Sequence, residues 1–146
     1  MRLSEAIALG RVTLKAAANF LDDGESGCAL GMAFRAVGGK SQGELGVQFD
    51  DIHREWSWLT NEIREKLCNC WYWQLHPGFF IGTYSQAIAH IFDAHVMQDL
   101  QAIGSEQHCE PWTMERLIDW VRSVEPQESP AEAEPATPAA AAMATR

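Results

Sequence analysis

The sequence predicts a mainly helical protein: a single small domain of about five helices, with a short aromatic-rich hairpin or loop held by a zinc site. Three observations predict it. The chain has 146 residues, 47% of them aliphatic or aromatic and 21% charged, which is the composition of one globular domain. Several stretches repeat apolar residues at helical spacing. One segment, CNCWYWQLHPGFFIG at 68–82, abandons that period and carries the turn His76-Pro77-Gly78. No run of 18 apolar residues occurs, so no membrane-spanning helix is expected. The start, Met1-Arg2-Leu3-Ser4-Glu5, lacks the pattern of a secretory signal, so the expected location is cytoplasmic.

The first helix is expected to begin after Ser4 as N-cap, with Glu5 in its first turn. Ile7, Leu9, Val12 and Leu14 supply its apolar contacts, and Gly10 weakens its middle. Asp22-Asp23-Gly24 is turn chemistry. A second helix spans 28–37, with Leu30, Ala33, Phe34 and Val37 on one face and Gly38-Gly39 as its stop. The third is capped by Asp50 or Asp51 and carries Ile52, Trp56, Leu59, Ile63 and Leu67 along one face, opposite Arg54, Asn61, Arg64 and Glu65. The aromatic segment then forms a strand or hairpin, with Phe79-Phe80-Ile81 returning. Thr83 and Gln86 match a capping box at the start of the fourth helix. Its apolar face is Tyr84, Ala87, Ile88, Ile91, Phe92 and His95. Thr113 caps the last helix, which buries Met114, Leu117, Ile118 and Val121 between Trp112 and Trp120.

Residues 126–146 read PQESPAEAEPATPAAAAMATR. Without aromatics they cannot bury enough apolar surface to offset their ordering entropy, so they are expected to form a disordered tail. The helical domain is therefore assigned to residues 1–125.

Eleven Lys and Arg face twenty Asp and Glu, giving a net charge of -9. Neutralising a nucleic-acid backbone takes clustered cations. The densest basic group, Arg54, Arg64 and Lys66, is interleaved with Glu55, Glu62 and Glu65, so direct nucleic-acid binding is not expected.

The cysteines are Cys28, Cys68, Cys70 and Cys109. In a cytoplasmic protein such a set points to metal or to burial rather than to disulfides. Cys68-x-Cys70 followed by His90-x4-His95 offers two thiolates and two imidazoles, the donors of a tetrahedral zinc. Two points of geometry resist it. Side chains two apart on a strand lie roughly 6.6 Å apart along the chain, whereas zinc needs its sulfurs about 3.8 Å apart. His90 and His95 also stand about 140° apart on an ideal helix, so the helix must end or distort near His95. The competing reading makes the cysteines small buried hydrophobes, His95 a core-edge histidine and His90 half-exposed. His108 or Cys109 is a further candidate ligand.

Catalytic readings are weaker. Cys28 lies at a helix start that stabilises a thiolate, but nothing fixes a histidine and an acid beside it. His90, Asp93 and His95 resemble an acid/base or metal-nuclease cluster, in a chain without phosphate-binding cations. Six tryptophans are too many for one small core, so Trp58 or Trp73 is expected at the surface, where an aromatic suits a protein contact.

The blocks LSEAIALG (3–10), GCALGMAFRAVG (27–38), IAHIFDAH (88–95) and WTMERLIDWV (112–121) resemble a group of short bacterial and phage proteins. These share an N-terminal helix, a paired-cysteine turn, a histidine-bearing helix and a closing helix with Trp-Thr and Asp-Trp-Val. The resemblance implies a zinc-like cluster of Cys68, Cys70, His90 and His95, and no particular activity. The group spaces its cysteines by two residues, where this chain has one. It also runs from the second histidine almost directly into the tryptophan, where this chain inserts Val96 to Pro111.

Together these observations lead us to expect a non-enzymatic accessory or adaptor protein with a structural zinc and a protein partner. One alternative is an acidic inhibitor that occupies a nucleic-acid-binding surface, with Asp22, Asp23, Glu25, Asp50 and Asp51 as its stripe. The other is a metal-dependent hydrolase, which needs an open coordination position.

Overall fold

The computed structural model describes residues 1–17, 25–39, 45–68, 80–98 and 110–127. Among them the expected mainly helical class holds, with five α-helices and only short strands. In chain order these are α1 (Leu3–Gly10), β1 (Lys15–Ala16), β2 (Ser26–Gly27), α2 (Ala29–Ala36), α3 (Leu45–Glu55), a 3-10 turn (Ser57–Thr60), β3 (Glu62–Glu65), β4 (Phe80–Thr83), α4 (Tyr84–His90), a π-helical turn (Ile91–Val96) and α5 (Met114–Val124). No described helix is long and apolar enough to cross a membrane.

The core is one cluster in which α1 lies between α2 and α5, and α4 closes on α2. Leu3, Ile7, Leu30, Met32, Ile88, Phe92 and Leu117 are fully or almost fully buried in it. Gly10 sets the approach of α1 to α2. A Cβ there would lie 1.8 Å from the Met32 carbonyl oxygen, so only glycine fits. Gly10 thus ends α1 as its contact point rather than weakening its middle.

The expected Ser4 cap is not formed. Arg2 is the N-cap, and Ser4 sits inside the first turn, fully buried. A carboxylate from the far end of the chain takes over the capping. Glu125, 4% exposed, accepts from the Ser4 amide at 3.1 Å, the Ser4 hydroxyl at 2.5 Å and Arg2 Nε at 3.1 Å. A negative charge at the N-terminus of α1 meets the N–H groups of its first turn, which have no intrahelical acceptor. Leu9, expected in the core, is 54% exposed because α1 turns its Leu3, Ala6, Ile7 face inward, and Val12, also expected there, lies past the end of α1 and is 80% exposed.

α2 matches expectation closely. Gly38 adopts φ 87°, its amide bonds to Arg35, and the Gly39 amide bonds to Phe34, a Schellman stop.

The third helix differs from its expected span. It begins at Leu45, so Asp50 and Asp51 lie within it and cap nothing. Asp51 instead pairs with Arg54 one turn on. The apolar stripe reaches back through Phe49, which packs on the core, and this moves the start upstream. The helix ends at Glu55. Ile63 lies in β3 and Leu67 just beyond it, yet both are buried as expected. Residues four apart share a face in a strand as well as in a helix, so the same apolar positions serve both.

β3 pairs antiparallel with β4, Glu62 opposite Thr83 and Glu65 opposite Phe80. The returning strand expected near 79–81 therefore exists, but its partner is the stretch assigned to the end of the third helix. The aromatic residues 69–79 fall outside the described residues, as does the expected tail apart from Pro126 and Gln127.

α4 begins as predicted. The Thr83 hydroxyl accepts from the Gln86 amide, and the Gln86 side chain accepts from the Thr83 amide. Thr113 likewise caps α5, accepting from the Arg116 amide at 3.1 Å. His53 Nε2 lies 3.2 Å from the buried Ser85 hydroxyl and ties α3 to α4.

Candidate metal centre

Three of the four predicted ligands meet. Cys68, just past β3, His90 at the end of α4 and His95 in the π-turn are all buried, and their ligand atoms lie within 4.8 Å of one another. Cys68 Sγ is 3.3 Å from His90 Nε2. Tetrahedral zinc, with Zn–S about 2.3 Å and Zn–N about 2.0–2.1 Å, spaces sulfur and nitrogen donors about 3.5 Å apart. The sulfur–nitrogen pair is thus near coordination spacing. Cys70, His108 and Cys109 lie outside the described residues.

The helical-phase objection is met by the backbone. After His90 the hydrogen bonds change from i→i+4 to i→i+5, seen in the Met97 amide donating to the Phe92 carbonyl at 2.8 Å. A π-turn brings residues five apart onto nearly the same face. The two imidazoles stand edge to face, ring centroids 5.2 Å apart.

Neighbouring groups orient His95. Its Nδ1 donates to the Glu110 carbonyl at 2.7 Å, a bond that fixes the ring and leaves the lone pair on Nε2. The Trp112 amide donates to the His95 carbonyl at 3.0 Å, and the rings of His95 and Trp112 are 6.0 Å apart. The Arg116 guanidinium lies 3.9 Å over the Trp112 ring. The chain that leads into α5 is thereby fastened to a candidate ligand.

Burial, with a lesser contribution from His95, pushes the pKa of His90 down to about 3. Burial also lowers that of His95, against the opposing pull of Glu110. Both imidazoles are neutral near pH 7, the form that offers a lone pair to a metal. The buried Cys68, His90 and His95 group can hold a metal ion.

The catalytic candidates fare differently. Asp93 is not in the donor group; its charge acts on Cys28 instead. Cys28 is buried at the N-cap of α2, and burial pushes its thiol up to about 11, outweighing the amides of Gly31 and Leu30. A helix start favours a thiolate, but desolvation wins here.

No protein-family model, curated protein or solved structure matches the chain.

At the surface, Trp58 is half-buried and stacks edge-on against Tyr84, with centroids 5.1 Å apart. It lines a shallow depression of about 240 Å³ with Met1, Arg2, Leu3, Trp56, Glu125 and Pro126. Trp56 is buried, and its Nε1 donates to the Met1 carbonyl. Trp73, the other tryptophan expected outside, lies beyond the described residues. So do Asp22 and Asp23 of the expected acidic stripe, in which Asp50 is exposed and Asp51 half-buried.

Proposed function

We propose that the chain is a non-enzymatic adaptor: a small helical domain held by a structural zinc that presents an aromatic surface to a protein partner. The observation that carries the reading is the burial of one thiol, past β3, and two imidazoles, on the continuous α4 and π-turn segment, none more than 5% exposed. Mixed sulfur and nitrogen donors suit zinc. A metal at that place ties the β3–β4 connection to α4 and to the start of α5. In a domain this small, such a cross-link adds metal-binding free energy directly to folding. Cys70 is the proposed fourth ligand, as in the group of proteins that the sequence resembles. The half-buried Trp58 and the depression beside it are the proposed contact face.

The reading is tested by metal analysis of chain purified without added metal, with Cys68→Ser and Cys70→Ser as controls. About one zinc per chain, lost in both variants with a fall in melting temperature, is expected. Full zinc in both variants would refute the site. For the contact face, Trp58→Ala is expected to keep zinc and lose a partner captured by the parent chain. Unchanged capture would remove Trp58 from the interface.

A further inference from the structure

The π-turn converges His90 and His95. In an α-helix of the same sequence the two would point about 140° apart. π-turns are rare and short, and are found frequently at functional sites. A second irregularity follows at once. Gln98 adopts φ 53°, in the left-handed region that residues other than glycine seldom occupy. The cost of an irregular backbone must be met by what the surroundings gain. Here the arrangement serves the donor group, and through His95 it also holds the Glu110 carbonyl and the Trp112 amide.

Resting on the metal reading above, we propose that Ile91–Val96 is a metal-operated register switch. A transition-metal ion on Cys68, His90 and His95 holds the segment in the π register, and removing the ion returns it to the α register. The Met97 amide then leaves the Phe92 carbonyl for that of Asp93. His95 rotates away from His90 and Cys68. The segment from Glu110 to Trp112 loses both anchors on His95, so the start of α5, with Arg116 seated over Trp112, moves with metal occupancy. The domain thus carries a built-in means of reporting metal at one end of α5.

The test uses the full chain, isotopically labelled, first with zinc and then after chelation. Through-hydrogen-bond NMR couplings read the acceptor of the Met97 amide. With zinc the coupling is expected to reach Phe92; after chelation it is expected to be lost there and to appear at Asp93. Deleting Asp93 supplies the companion variant. It removes the extra residue, so a regular α-helix places the two histidines four apart, about 40° from each other and on one face. This variant is expected to bind zinc and to show one helical hydrogen-bond pattern with and without it. A Met97 coupling that stays on Phe92 after chelation overturns the switch while leaving the metal site standing. Loss of all helical couplings over 91–97 on chelation also overturns it, since the metal would then fold the segment rather than set its register. A deletion variant that fails to bind zinc, while the parent binds it, overturns it too. Absence of zinc binding by the parent overturns both the switch and the metal reading.

Discussion

Replacing Gly10 by alanine should destabilise the protein, against what helix propensity alone dictates. In an exposed helix interior, Gly→Ala stabilises by roughly 0.5–1 kcal/mol, because it removes unfolded-state freedom and adds a good helix former. At Gly10 the new Cβ would lie 1.8 Å from the Met32 carbonyl oxygen, 2.4 Å from its carbon and 2.9 Å from its Cα. All three are backbone atoms of α2, so no side-chain rotation relieves the contact. The two helices must separate by more than 1 Å (about the shortfall from van der Waals contact), which opens the packing of Leu3, Ile7, Leu30 and Met32. Overpacking of this kind costs about 1–3 kcal/mol, and more where backbone must move. It therefore outweighs the propensity gain. A fall in melting temperature of roughly 4–12 °C follows for a domain of this size. Thermal unfolding followed by circular dichroism, with and without metal, is the assay. A melting temperature equal to or above that of the parent would refute the α1–α2 contact as described.

Three further outcomes are expected. Glu125→Ala leaves the buried Ser4 amide and hydroxyl without their acceptor while Arg2 still reaches water, so it should cost about 2–4 kcal/mol in urea unfolding; a loss under about 0.5 kcal/mol would show that the clamp is not formed. Thr113→Ala removes the α5 cap and should cost about 1 kcal/mol in the same assay. Cys28, pushed up to about 11, should alkylate roughly a hundredfold more slowly at pH 8 than an unburied thiol, as read by mass spectrometry of the modified peptides. Because the folded state holds that proton more tightly, its contribution to stability is intact below about pH 9 and is lost as pH rises through about 11, by about 2–3 kcal/mol. Rapid labelling of Cys28 in the folded chain would contradict its burial.

Local chemistry was the most legible level of the sequence. The Thr83–Gln86 box, the Thr113 cap and the Gly38-Gly39 stop each depend on residues within one turn, and each forms as expected. Apolar stripes located buried positions better than they located elements. Ile52, Trp56, Leu59, Ile63 and Leu67 are all buried, but a four-residue spacing does not separate helix from strand, so the stripe alone extends the third helix through β3. Ser4 illustrates a tertiary override. It has the side chain of a cap, yet a carboxylate more than a hundred residues away satisfies the helix end. One signal for Glu125 was present: it continues the four-residue stripe of Leu117 and Val121, where a charge is out of place unless it is paired. At the candidate site, residue types and spacing pointed to Cys68, His90 and His95. Their convergence depends on a change of backbone ladder that no propensity encodes, and the hold of Glu110 and Trp112 on His95 depends on tertiary contact alone.

Cys68, His90 and His95 are proposed to hold one metal ion together. The most direct test is cobalt(II) loading of the parent chain and of Cys68→Ala, His90→Ala and His95→Ala, followed by visible and near-ultraviolet absorption. The parent should show the visible bands of a tetrahedral site with a thiolate-to-cobalt charge-transfer band, at about one cobalt per chain. The charge-transfer intensity should fall in Cys68→Ala, and affinity should fall at least about tenfold in each histidine variant. Identical spectra and affinities in all four chains, or an octahedral spectrum without charge transfer in the parent, would contradict the site.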